Sequence, residues 1–101
     1  MSAFFDNIEE SPDEIKTEEL ETIDEIATSA RVLLFNDEWH TFEEVIGQII
    51  KAIHCTSEKA EALTIEVHTK GKAMVFEGDM NECLRVSAVL EEIGLHTQIE
   101  Y

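Results

Sequence analysis

Basic residues are scarce in this chain. Seven Lys and Arg stand against 23 Asp and Glu, giving a formal net charge of −16 at pH 7. Without a cationic footprint to neutralise phosphates, the composition argues against nucleic acid as a partner. It argues equally against an anionic membrane surface. Cysteine is scarce too. Cys55 and Cys83 lack the close spacing of a zinc motif and do not make a disulfide framework. No apolar run reaches the roughly eighteen residues that a membrane span needs. The opening "MSAFFDNIEESPDE" has neither a basic start nor an apolar signal core. A cytoplasmic protein is the expectation.

Catalytic and metal chemistry also find little support. His40, His54, Cys55, His68, Cys83 and His96 are potential ligands, yet no pair has HxxxH or CxxC spacing. Both cysteines fall on or beside apolar helical faces, where inert thiols are the usual case. No metal, no cofactor and no enzymatic activity are expected.

What is abundant is acid, and it is unevenly spread. Residues 1–28 carry many Asp and Glu against Lys16, together with the single proline, Pro12. Ile15, Leu20, Ile23 and Ile26 share part of a helical face there, but like charges along it oppose an isolated helix. This segment reads as a flexible acidic arm, and residues 29–101 as the core domain. The overall charge has two readings, solubility and the steering of cationic partners.

The core segment divides cleanly. "RVLLF" is a short apolar run that fits a buried strand. Thr41 with Glu44 forms a capping-box pattern. Phe42, Val45, Ile46, Ile49, Ile50 and Ile53 then recur on one face of a helix. A second helix starts at Thr56 or Ser57 and runs to about His68, with Ala60, Leu63 and Val67 inward and Gly71 as its stop. "KAMVFEG" reads as a strand ended by Gly78-Asp79. Asp79 and Glu82 open a third helix carrying Cys83, Leu84, Val86, Leu90 and Ile93, with Gly94 at its C-cap. In "LHTQIEY", Leu95, Thr97, Ile99 and Tyr101 alternate as a half-buried strand. The order β-α-α-β-α-β predicts an α+β fold, a two-layer α/β sandwich of three helices on a three-stranded antiparallel sheet.

One junction stands out. The apolar strand stops at Asn36-Asp37-Glu38, with Trp39 and His40 following. On residues alone, Asn36-Asp37 is either a plain strand-to-helix turn or a set of acceptors beside an apolar hollow. The second arrangement suits a ligand that is cationic at one end and apolar at the other. His68, near a helix end, is either a structural histidine meeting the dipole or part of that set. Trp39 is either a surface aromatic or a lid on the core.

"VLLFNDEWHTFEEV" followed by "AEALTIEVHTKGKA" resembles the bacterial Clp protease adaptor family, ClpS. The Asn-Asp-acid triplet and the Val-His pair about thirty residues on carry the resemblance, which covers roughly 31–101. It implies an N-recognin, a non-enzymatic adaptor for N-degrons. Such adaptors bind proteins beginning with Leu, Phe, Tyr or Trp and pass them to a ClpA- or ClpC-type unfoldase for proteolysis. It further implies that Asn36, Asp37 and His68 hold the α-ammonium. Glu38, His40, Phe42, Val45, Thr64, Ile65, Val67 and Leu95 would then form the side-chain pocket. A free amino terminus differs from every internal residue by its ammonium, so acceptors at fixed positions are what its recognition requires. The chain departs from the family pattern in three places. His40-Thr41-Phe42 replaces Thr-Pro-Met, Thr64 replaces a gating methionine, and the segment after Gly71 is short. Phe42 would narrow the pocket and Thr64 would widen it. The alternative implied role is a regulator that docks the Clp unfoldase and changes its substrate choice without reading amino termini.

Overall fold

Residues 30–101 are described by the computed structural model, and the acidic arm expected over 1–28 lies outside them. The described chain runs β1 (Ala30–Phe35), α1 (Phe42–Ile53), α2 (Ser57–Lys70), β2 (Lys72–Gly78), α3 (Met80–Glu91) and β3 (His96–Glu100). This is the order, and the α+β class, that the sequence predicts. The sheet order is β2-β1-β3, with β1 central and antiparallel to both neighbours.

The centre position explains the unbroken apolar run of β1. Ala30, Val32 and Leu34 enter the core beneath the helices. Leu33 faces the other way, by the two-residue period of a strand, and still keeps only 8% exposure. Val32 opposes Phe76 while Leu33 opposes Met74, so β2 carries Val75 as an extra residue, a bulge. From there the register delivers the last residues of β1 to fixed partners. Leu34 lies opposite Ala73 and Thr97, and Phe35 opposite Lys72 and His96.

Each helix starts where its cap dictates. Thr41 Oγ1 accepts from the Glu44 amide at 3.1 Å, and Glu44 Oε1 accepts from the Thr41 amide at 2.9 Å. That reciprocal pair starts α1 directly after the Asn36–His40 turn. Thr56 Oγ1 accepts from the Lys59 amide to start α2, and Asp79 Oδ1 accepts from the Glu82 amide to start α3. α1 buries Gln48, Ile49 and Ala52. The buried Gln48 side chain donates from Nε2 to the Val89 carbonyl at 2.6 Å and to Glu92 Oε1 at 3.2 Å. Arg85 donates to the Ala52 carbonyl at 3.0 Å, and Lys51 donates to Glu92 at 2.9 Å. These contacts hold α1 against α3.

Several details differ from the sequence reading. α2 continues to Lys70 because its stop is Gly71 itself, at φ +88°, whose N–H donates to the Val67 carbonyl at 2.9 Å. A left-handed residue there favours glycine. The C-cap of α3 is Glu92, and Gly94 lies beyond it at φ +89° in the turn to β3. Cys83, Val86 and Leu90 are the buried stripe of α3, whereas Leu84 and Ile93 are exposed. Tyr101 lies past the end of β3 and is exposed.

Candidate functional site

The site forms where β1 runs out. The Asn36 amide donates to the Gly71 carbonyl at 2.9 Å. That bond ties the exit of β1 to the end of α2 and draws the Asn36-Asp37 turn towards Val67 and His68. Beside the junction lies a cavity of about 330 Å³, open to solvent. This is the lower end of the usual size for a small-ligand pocket.

Asn36, Asp37, Glu38, His40, Phe42, Val45, Thr64, Val67, His68 and Leu95 all line it. Ten of the eleven residues expected at the site therefore meet in one hollow. Ile65 is the exception, being 44% exposed and outside the lining. One residue along α2 is about 100° around the helix. Thr64, Val67 and His68 span about 100° of the helix, and Ile65 lies about 60° beyond His68, outside the arc that lines the cavity. Leu34 and Phe35 also line the cavity, and sequence reasoning missed them. Their signal was available, since the last strand residues before a site-bearing turn must border it.

Polar groups gather at the mouth and apolar ones below. Leu34, Val45, Val67 and Leu95 belong to the core or pack on it, so the floor of the cavity is the outer surface of the core. Thr64 is buried, and its hydroxyl donates to the Ala60 carbonyl at 2.8 Å. The wall it gives the cavity thus carries no free hydroxyl proton. The Phe42 ring meets the His68 ring edge-on, with centroids 5.4 Å apart and planes at 72°. Trp39 is 88% exposed, so it does not cover the core. The lining contains acids and two histidines but no Lys or Arg.

Asp37 organises the turn. Its Oδ1 accepts from the amides of Trp39 at 2.9 Å and His40 at 3.0 Å, and its Oδ2 lies 2.8 Å from His40 Nδ1. Partial burial pushes this carboxyl up, but the two amides and the His40 ring outweigh it and hold it below its ordinary 3.8. Asp37 thus closes the strand-to-helix turn that the sequence allows, and it does so while lining the cavity. Asp37 is ionised at neutral pH, and a carboxylate that accepts three bonds still has room for one more.

A second hollow of about 450 Å³ lies along β2, between Leu63 and Phe76. It gathers no comparable set of polar groups. Cys83 is buried at the start of α3, and that burial pushes its thiol up, away from the reactive thiolate. Among the described residues, no group of three or more His, Cys, Asp or Glu is placed to hold a metal ion, and no helix is long and apolar enough to cross a membrane.

Three helices on a β2-β1-β3 sheet, with a cavity at the exit of the central strand, define a small two-layer α+β domain. The model of the family described as ATP-dependent Clp protease adaptor protein ClpS matches residues 26–98, and the chain belongs to that family. It is 33% identical over 66 residues to the ClpS adaptor of Thermosynechococcus vestitus, covering 64% of this chain and 70% of the adaptor. It is 38% identical over 58 residues to the human E3 ubiquitin-protein ligase UBR2, covering 57% of this chain but only 3% of the ligase. The chain thus corresponds to a small segment of those ligases. Among solved structures, Agrobacterium tumefaciens ClpS2 bound to L-phenylalaninamide superimposes with a TM-score of 0.69 at 16% identity, over 73% of this chain and 96% of that one. At that identity the likeness establishes the fold.

Proposed function

We propose that this chain captures proteins by their free amino terminus and delivers them for degradation. The observation that carries this reading is the meeting of Asn36, Asp37 and His68 in the lining of one cavity with the apolar Leu34, Val45, Val67 and Leu95. A terminal ammonium needs acceptors, and the first side chain needs a hollow of matching size. The cavity lining offers both kinds of group. Asn36 supplies a carboxamide oxygen, Asp37 a carboxylate and His68 a ring nitrogen. Such charge-assisted hydrogen bonds contribute about 1.5–3 kcal/mol each. L-phenylalaninamide, the ligand in the ClpS2 structure, joins a free α-amine to an aromatic side chain. That chemistry matches the division of this cavity into an acidic mouth and an apolar floor.

The receiving machine on this reading is a Clp-family ATPase unfoldase, as the family name implies. A second destination keeps the same site. The likeness to a segment of UBR2, 38% over 58 residues, makes ubiquitin-dependent degradation that alternative. A panel of peptides differing only in the first residue tests the recognition step by fluorescence anisotropy. Leu, Phe, Tyr and Trp at the first position should bind, and Asp or Lys should not. Equal binding across the panel would overturn the proposal. Degradation of a Leu-starting substrate in a reconstituted Clp unfoldase–protease reaction decides between the two destinations.

A further inference from the structure

His40 holds the site together through both of its ring nitrogens. Nδ1 lies 2.8 Å from Asp37 Oδ2, and Nε2 lies 2.6 Å from the Ile93 carbonyl oxygen. A neutral imidazole has one N–H, whereas an imidazolium has two. Neither the ionised Asp37 nor a backbone carbonyl has a proton to give. Both bonds therefore exist together only when the ring is charged. We propose that the His40 imidazolium is a positioning residue for the cavity, fixing the Asp37 carboxylate at the mouth while anchoring the α3–β3 turn that carries Leu95. The part concerning ligand affinity rests on the amino-terminus reading above, whereas the charge state and the two bonds do not.

The geometry suits such a latch. The two side chains are shielded, at 13% exposure for His40 and 19% for Asp37. The ring packs over Gly94, 4.0 Å from where a Cβ would stand. The latch therefore joins the β1–α1 loop to the α3–β3 turn, between cavity-lining residues Asp37 and His40 on one side and Leu95 on the other. The Ile93 carbonyl and then the Asp37 carboxylate raise the His40 ring above its ordinary 6.5, against a smaller opposing effect of burial. Charged groups bearing on the ring are Asp37 on its own turn and Glu44 from α1. The α3–β3 turn presents a carbonyl, and its acids are engaged elsewhere, Glu91 with Thr97 and Glu92 with Lys51.

The direction with pH follows. A histidine raised by folding contributes its full stabilisation below 6.5, and loses it as pH rises through the folded value. Asp37, lowered by folding, loses its contribution only as pH falls through its own folded value, below 3.8. The latch is closed between those limits and opens on the alkaline side. A peptide α-amine also loses its proton near pH ~8, so the two titrations must be separated.

Long-range proton–nitrogen NMR spectra of the uncomplexed full chain do this directly. Both His40 nitrogens should carry protons at pH 6, and the ring should titrate above 6.5. A neutral ring at that pH overturns the proposal, whether or not any peptide binds. His40→Gln retains a donor without a titrating charge, and His40→Ala removes both bonds. At pH 6 each should weaken binding of a Phe-starting peptide by about tenfold, the loss expected for one charge-assisted bond. Above that pH the wild type should lose affinity more steeply than either variant. Variants that keep the wild-type profile contradict the latch. Failure of the wild type to bind any free-amine peptide would instead remove the proposed function, and the NMR titration would still decide the charge state of His40.

Discussion

Replacing Asn36 and Asp37 together by alanine is expected to weaken binding of a Phe-starting peptide by about a hundredfold or more. Two charge-assisted hydrogen bonds at about 1.5–3 kcal/mol each sum to about 3–6 kcal/mol, and every 1.4 kcal/mol is tenfold. Asp37 also receives the Trp39 and His40 amides, so its loss loosens the turn as well as the ammonium contact. Asn36→Ala alone separates the two effects. It leaves the Asp37 turn intact and should cost about tenfold or more. Anisotropy titrations of both variants, with thermal melts as a check on folding, make the measurement. A double variant that is folded and binds as the wild type does would remove the acceptor set from the mechanism.

Leu34→Ala should be the most destabilising single truncation, at about 2–5 kcal/mol. Leu34 has 0% exposure, lies on the central strand and also lines the cavity. Its removal costs the transfer free energy of the side chain and leaves a void joined to the ligand hollow. For a domain whose total stability is about 5–15 kcal/mol, that is a large share. The urea midpoint should fall with its slope unchanged. Among variants that remain folded, the deepened cavity should shift preference from Leu towards Trp at the first peptide position. A loss below about 1 kcal/mol would mean that the site collapses around the missing atoms.

How much of this was readable depended on how local each signal is. The capping residues Thr41, Thr56 and Asp79 fix their helix starts through neighbours three positions away, and such spacing is visible in a sequence. The continuous run of β1 and the spaced isoleucines of α1 reflect burial on both faces and on one face respectively. Non-local features were less legible. The bulge at Val75 depends on how β2 meets β1. The inward direction of α3 follows Cys83, Val86 and Leu90, while Leu84, equally apolar, is left in solvent. Hydrophobicity alone does not choose between those neighbours.

Legibility of the site follows the same division. Thr64, Val67 and His68 share a helix face by spacing, and that face borders the turn because the Asn36 amide reaches Gly71. Assigning Ile65 to the pocket overlooked that it lies about 60° outside the arc spanned by Thr64, Val67 and His68. The bond from His40 to Ile93 leaves no trace in the sequence. Its acceptor is a backbone carbonyl 53 residues away, and any residue type at position 93 would offer the same atom. The Asp37–His40 half was readable in principle, as an acid and a histidine three residues apart across a turn.

Calorimetric titration of one Phe-starting peptide in two forms, with a free amino terminus and with the same nitrogen acetylated, bears most directly on the site. Acetylation leaves the side chain untouched and removes the charge and two donors. Binding of the free form, weakened by about a hundredfold or more on acetylation, is the result that an ammonium held by Asn36, Asp37 and His68 requires. Equal affinity for the two peptides would contradict it.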